Sequence, residues 1–348
     1  MPRSAGPRPV EPRIEHSGPK PVEASAVAPP VSHGASDAPP AAVVGPDRPA
    51  PAAPARALPS PTGTAAVPLR SYPDRAPAAS RPTWTSGVHL DELSPEAVQR
   101  AAQLARGRGR AFDIVSAQLP AVAWRDVQTP ARALATLRQV PGRKVLSVPL
   151  LPDSQGTLTA CAKGEYRTYW EHFARAAQAG GLSGAILDLR PDGQGRALAD
   201  PAEHAACYRA VATTIRAALP GVRTQWTAQR GDSRGQGVLA AWPGAAHVDI
   251  IGLDSIDTGD DWGHIVNGAF GLTWWSDYAA TQRRPLALAR WGPFPGSAES
   301  AANVARVQNM HDWIVRTAAR KRLAYEAFAL PGSGPGAAVA TYRALFAP

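Results

Sequence analysis

Residues 84–348 are predicted to fold as a single closed α/β barrel, a (β/α)8 or TIM barrel, and three observations carry that prediction. Eight short, nearly continuous apolar runs alternate with longer segments whose apolar residues recur every three or four positions. The first pattern suits parallel strands covered on their outer side, and the second suits amphipathic helices. The 265 residues from Trp84 to Pro348 hold all 10 tryptophans of the chain, and that length suits one large core of this architecture. No glycine-rich phosphate loop follows the first strand candidate, which argues against the runner-up, a doubly wound open sheet.

Taken in order, residues 1–83 come first, with 20 of the 36 prolines and no tryptophan. A Pro/Ala-rich segment without hydrophobic period cannot bury enough apolar surface to offset its ordering entropy, so a disordered linker or tail is expected. The opening residues, MPRSAGPRPVEPRIEH, show no apolar stretch of a signal peptide, which leaves the cytoplasm open beside an exported location. The strand candidates are 87–90, 112–118, 144–150, 185–189, 224–228, 248–254, 286–289 and 323–328. The clearest helical patterns are 94–106, 166–179, 201–218 and 301–319. Ser94-Pro95-Glu96 reads as a helix start, with Ser94 as cap and Pro95 at the first helical position, and Asp200-Pro201 repeats that logic.

The net charge is +9, but the arginines are dispersed. The local clusters, 106–110 and 316–322, fall beside helix ends and read as solvated surface rather than a nucleic-acid patch. No run of residues is apolar enough for a membrane span. Cys161 and Cys207 are the two cysteines; a disulfide and two buried thiols are both open. Neither CxxC nor HExxH occurs, so no metal or other cofactor is expected.

In a barrel of this kind the chemistry lies at the C-terminal ends of the strands. The residues there are His89 and Asp91, Gln118, Arg190, Asp192 and Gln194, Trp226 and Gln229, Asp254, Asp257 and Trp262, Arg290 and Trp291, and Tyr325 and Glu326. Several stretches around them resemble glycoside hydrolase family 26, the β-mannanase-like barrels. Leu146-Ser147-Val148-Pro149-Leu150-Leu151-Pro152 with Ala162-Lys163-Gly164-Glu165-Tyr166 is similar to that family's third strand and following helix start. Trp242-Pro243-Gly244 with Val248-Asp249-Ile250-Ile251-Gly252-Leu253-Asp254 resembles its sixth strand. Gly271-Leu272, Tyr278-Ala279 and Arg284-Pro285-Leu286-Ala287 resemble its approach to strand seven. Met310-His311-Asp312-Trp313-Ile314 and Ala324-Tyr325 are similar to its last helix and eighth strand. The resemblance spans most of 87–330 and implies a carbohydrate-active barrel, extracellular or in the cell envelope and acting as a monomer, that holds a polysaccharide or oligosaccharide in its mouth.

By that resemblance the acid/base glutamate falls at Asp192, an asparagine at Gln194, the attacking glutamate at Arg290 and a supporting tyrosine at Ile256. A retaining glycosidase needs two carboxyls about 5 to 5.5 Å apart. An arginine cannot attack carbon and stays protonated, and Asp192 is one methylene short. The expectation is therefore a family 26-like pseudoenzyme that binds glycan without retaining hydrolysis. Trp262 and Trp291 would stack on sugar, and Arg190 and Arg290 would favour acidic sugars. Trp226, Asp254, Asp257, Tyr325 and Glu326 would complete the binding surface. Two alternatives stand beside it: an active endo-glycosidase that pairs Asp192 with Asp254, Asp257 or Glu326, and a non-catalytic envelope scaffold. Each residue also has a plainer reading. Asp254 and Asp257 could anchor a loop, Asp192 could be a turn residue, His89 could be a hydrogen-bonded rim residue, and Glu326 could form an ion pair with Arg290. Trp274-Trp275 falls on a helical pattern, which puts at least one ring in the core.

Overall fold

The computed structural model describes residues 84–348 apart from 154, 191–198, 232–236, 257–258, 294–300 and 331–335. The expected tail, residues 1–83, lies outside the described residues. Eight parallel strands close into a barrel in chain order. They are β1 (Ser86–Leu90), β2 (Ile114–Gln118), β3 (Arg143–Pro149), β4 (Ile186–Arg190), β5 (Arg223–Gln229), β6 (Ile250–Ile256), β7 (Leu286–Gly292) and β8 (Leu323–Ala329). Strand β8 pairs back onto β1, with Ser86 opposite Glu326, and closes the ring. Each strand lies within a few residues of its sequence candidate.

The helices among the described residues are α1 (Pro95–Gly107), α2 (Trp124–Gln128), α3 (Ala131–Arg138), α4 (Leu158–Ala162), α5 (Arg167–Ala179), α6 (Pro201–Ala218), α7 (Trp262–Asn267), α8 (Leu272–Thr281), α9 (Ala301–Ala319) and α10 (Ala337–Leu345). Both expected starts are built as the sequence suggests. Ser94 Oγ accepts from the Ala97 amide at 3.1 Å ahead of Pro95, and Asp200 Oδ1 accepts from the Glu203 amide at 3.1 Å ahead of Pro201. Cys161 of α4 and Cys207 of α6 are joined by a disulfide with Cα atoms 4.9 Å apart.

Successive side chains on a strand point to opposite faces, so each strand sorts its residues between lumen and outer layer. Leu187, Leu189, Ile251, Leu253, Leu286 and Leu288 belong to the large outer core under the helices. Ile114, Val145, Ile186, Ile250, Ala287, Tyr325 and Ala327 form a separate cluster that plugs the lumen near the strand starts. Two residues further along the same strands, the lumen turns polar: Ser116, Ser147 and Asp188 follow Ile114, Val145 and Ile186. Two residues on again come Gln118, Pro149 and Arg190. The lumen thus changes from apolar floor to charged mouth in three layers.

Strand β7 departs from the simple alternation. Leu253 pairs with Leu288, but Asp254 pairs with Arg290, so Ala289 is an extra residue in the ladder. The bulge shifts the period by one. Without it Arg290 would share the outer face of Leu286 and Leu288; with it Arg290 lies beside Asp254 and Trp291 turns outward. Bulges at barrel rims commonly re-aim a side chain in this way.

Candidate functional site

The mouth is built around Asp254, near the end of β6. Arg190 Nη2 on β4 donates to Asp254 Oδ2 at 2.8 Å. Arg290 on β7 donates to the same carboxylate through Nη2 at 2.8 Å and Nε at 3.1 Å. Burial raises the Asp254 carboxyl, but Arg190 and Arg290 together outweigh it and hold the group below the usual carboxylate range. The Arg290 guanidinium is held above its ordinary value: burial works against the charge, and Asp254 and Asp91 more than offset it. Its remaining arm, Nη1, donates to the exposed Asp91 at 3.3 Å.

Below this layer lies a chain of buried polar groups that the sequence reading did not assemble. Asp188 on β4 accepts from Thr227 Oγ1 at 2.6 Å and Ser147 Oγ at 3.2 Å, with Arg190 Nε 3.6 Å away. Burial pushes the Asp188 carboxyl up despite Arg190 and these donors. Gln225 Nε2 donates to Thr227 Oγ1 at 3.0 Å, and Tyr325 OH donates to Gln225 Oε1 at 2.8 Å. The signal for this layer was present: Ser116, Ser147, Asp188 and Thr227 each sit at a lumen position on adjacent strands. Gly252 on β6 makes room for it, because a Cβ there would collide with Thr227 Oγ1.

His89 closes the other side. Its Nδ1 lies 3.1 Å from Ser116 Oγ and its Nε2 lies 3.6 Å from Asp91. Burial first, then the charges of Arg290 and Arg190, lower the imidazole to about 3. His89 is neutral and hydrogen-bonded at neutral pH. Beside it a recess of about 320 Å³ opens at the rim, lined by Leu90, Asp91, Glu92, Ala97, Arg100 and Leu330.

Four expected mouth residues lie elsewhere, and strand alternation explains three of them. Glu326 stands between Tyr325 and Ala327, which face the lumen, and so turns outward. It accepts from Ser86 Oγ at 2.5 Å and Trp291 Nε1 at 2.7 Å, not from Arg290. Trp291 is 1% exposed and packs on Phe328 and Phe346, so no ring face is available to a sugar. Trp226 is likewise outward, buried against Trp242 and Trp275. Tyr325 does face the lumen, but in the apolar floor below the charged layer. Trp275 is core, as expected for one of the two adjacent rings. Trp262 keeps partial exposure at the first position of α7, where Asp261 caps the helix. Asp192, Gln194 and Asp257 lie outside the described residues.

With this geometry in place, the barrel is similar in fold to several solved structures. A modular endo-β-1,4-mannanase of glycoside hydrolase family 26 from Cellulomonas fimi aligns with a TM-score of 0.53 and 16% identity, over 69% of this chain and 64% of that one. A double mutant of the Cellulomonas fimi endo-β-1,4-mannanase aligns at 0.57 and 15% identity, over 76% and 70%. GH26C from a Muricauda species aligns at 0.51 and 12% identity, over 75% and 85%. The likeness is one of fold. The architecture expected from the sequence motifs, an eight-stranded parallel barrel, is the one shared with these structures. No family model matches the sequence, and no curated protein matches it as a relative. Among the described residues no helix is long and apolar enough to cross a membrane.

Proposed function

We propose that this chain is a carbohydrate-binding barrel that holds a polysaccharide or oligosaccharide at its mouth without retaining hydrolysis. One observation carries the reading. Arg290 occupies the position that the family resemblance gives to the attacking carboxylate, and it is locked, with Arg190, onto Asp254. A retaining mechanism needs a free nucleophilic carboxylate facing an acid/base about 5 to 5.5 Å away. Asp254 is held by two guanidiniums and Asp188 by Thr227 and Ser147, so neither is free to attack. The surface left for a glycan is the rim: the recess beside Asp91, Arg290, Gln118 and the exposed part of Trp262.

The same network favours an acidic sugar through exchange. The Arg290 contact with Asp91 reaches a side chain that is 52% exposed. A uronate carboxylate entering the mouth could replace Asp91 on Nη1 and gain a charge-assisted hydrogen bond. The disulfide between Cys161 and Cys207 supports an oxidising, exported location.

Isothermal calorimetry of neutral mannan and glucan oligosaccharides against uronate-containing ones, with reducing-sugar assays on the matching polysaccharides, tests this. Binding of the acidic set without sugar release supports the full reading. Binding of neutral oligosaccharides alone removes the acidic preference. Sugar release abolished by Asp192→Ala would replace it with an active glycosidase built on a relocated carboxylate pair.

A further inference from the structure

We propose that the opposite end of the barrel, the rim of helix-to-strand turns, is a docking face for an anionic phospholipid bilayer. Four of these junctions carry exposed bases with no acidic partner among the described residues: Arg106 in the last turn of α1, Arg138 at the end of α3 with Arg143 at the start of β3, Arg283 after α8, and Arg320 with Lys321 after α9. The acids near this rim are already matched: Asp113 by Arg110, Asp249 by Arg216 and Asp277 by Arg322. The six exposed bases therefore stand as excess charge. Helix C-termini account for part of it, since each carries about half a negative charge. Two of the four turns hold two whole positive charges each, more than a helix end offsets.

The placement of these turns forms the second part of the case. They precede β2, β3, β7 and β8, which are consecutive around the closed ring with β1 between them. The bases form one crescent, and the chain enters β1 at its centre. All of them stand at helix-to-strand junctions on one end of the ring. A linear polyanion is tracked by a groove or stripe; an arc of bases around one end of a barrel matches a plane of charge, where each Lys or Arg near the surface contributes independently.

An apolar notch inside the crescent favours lipid over other anions. Between α1 and α3 a recess of about 70 Å³ is lined by Val98, Ala101, Ala105, Phe112, Val140 and Pro141. It sits beside the turns that hold Arg106, Arg138 and Arg143 and has no charged lining. Apolar surface next to exposed bases is the amphipathic combination of a bilayer interface. Docked in this way, the face would direct the mouth, at the other strand ends, away from the membrane.

The test is co-sedimentation of the full chain with vesicles of phosphatidylcholine alone and of phosphatidylcholine mixed with phosphatidylglycerol. Binding is expected only to the mixed vesicles and falls steeply as salt rises. The quadruple variant Arg106→Gln, Arg283→Gln, Arg320→Gln, Lys321→Gln should lose about fivefold for each charge removed, several hundredfold in all. These side chains are exposed and make no ion pair among the described residues, so circular dichroism should show an unchanged fold. Arg167→Gln, which alters a base at the opposite end of the molecule, should leave vesicle binding intact. The proposal fails if the mixed vesicles do not bind, or if binding survives the quadruple variant. It fails equally if duplex DNA at the same salt binds as tightly and competes the vesicles away. If the quadruple variant unfolds, the salt dependence and the DNA competition on the unaltered chain decide alone.

Discussion

Asp254 accepts from two guanidiniums, so the two sides of this arrangement are not equivalent. Asp254→Asn removes the one anion among the described residues that Arg190 and Arg290 share, and leaves Arg190 with Asp188 at 3.6 Å and Arg290 with the exposed Asp91 at 3.3 Å. Breaking a buried pair by deleting one partner costs about 3 to 5 kcal/mol. Arg290→Met leaves Asp254 paired with Arg190 at 2.8 Å and gives up an exposed contact with Asp91 of little worth, so about 1 to 2 kcal/mol is expected. Urea unfolding of both variants checks the order, and a larger loss in Arg290→Met would contradict the assignment of Asp254 as the hub. His89 makes the mouth sensitive to acid. Its folded value is lowered from 6.5 to about 3, so it contributes stability that is present above about pH 6.5 and lost as pH falls toward 3. The slope is about 1.4 kcal/mol per pH unit within that window. Asp188 and Glu326, raised by burial, act in the opposite sense, losing stability as pH rises through their folded values. The difference between wild type and His89→Asn therefore isolates the histidine: the variant should lose less stability between pH 6.5 and 5. Equal losses would show that the imidazole is protonated in the fold.

At the scale of elements, much of the barrel was legible because strand and helix periods differ. Continuous apolar runs such as Leu286–Ala289 marked the strands, and Ser94-Pro95 and Asp200-Pro201 marked helix starts that the structure confirms. What such runs hide is the face on which each residue falls. Trp226, Trp291 and Glu326 are expected at the mouth from their places near strand ends, yet they turn outward: Glu326 stands between apolar Tyr325 and Ala327, Trp226 between polar Gln225 and Thr227, and Trp291 is turned by the bulge. The bulge at Ala289 was illegible for another reason: it is defined by pairing with β6, and no local turn chemistry announces it. Arg290 and Asp254 are both candidates by sequence, and the structure joins them by hydrogen bonds. Gly252 shows how an element's smallest residue serves the site. A methyl group there meets Thr227 Oγ1 and the Gln225 amide, both buried and both bonded within the network on Asp188. Gly252→Ala should cost about 2 kcal/mol, as overpacking of a filled interior does, and shift the Thr227 hydroxyl away from Asp188. A thermal midpoint equal to wild type would mean that the polar layer is looser than its hydrogen bonds indicate.

Across the whole molecule, the closed ring keeps two chemistries apart. The mouth balances its charges internally, with Asp254 joining Arg190 and Arg290 and Arg290 reaching Asp91, whereas the opposite rim carries, beside its matched ion pairs, bases with no acidic partner among the described residues. Strands of five to seven residues separate the two ends, about 17 to 23 Å at 3.3 Å per residue. The screening length at physiological ionic strength is about 8 Å, so neither end feels the field of the other through solvent. The apolar floor formed by Ile114, Val145, Ile186, Ile250 and Tyr325 fills the lumen between them, and a close-packed floor leaves no open channel between the two ends. The two ends should therefore respond differently to salt. Raising ionic strength from about 0.05 to 0.5 M shortens the screening length about threefold. That change should weaken attraction to an anionic surface by more than tenfold, because exposed, uncompensated charges carry it. Oligosaccharide affinity at the mouth should change by less than about threefold, because its ion pairs are partly buried and already neutralised. Parallel salt titrations of vesicle co-sedimentation and of glycan calorimetry on the same preparation read both slopes. Matching slopes would mean that a shared basic surface, rather than two separate ends, governs both interactions.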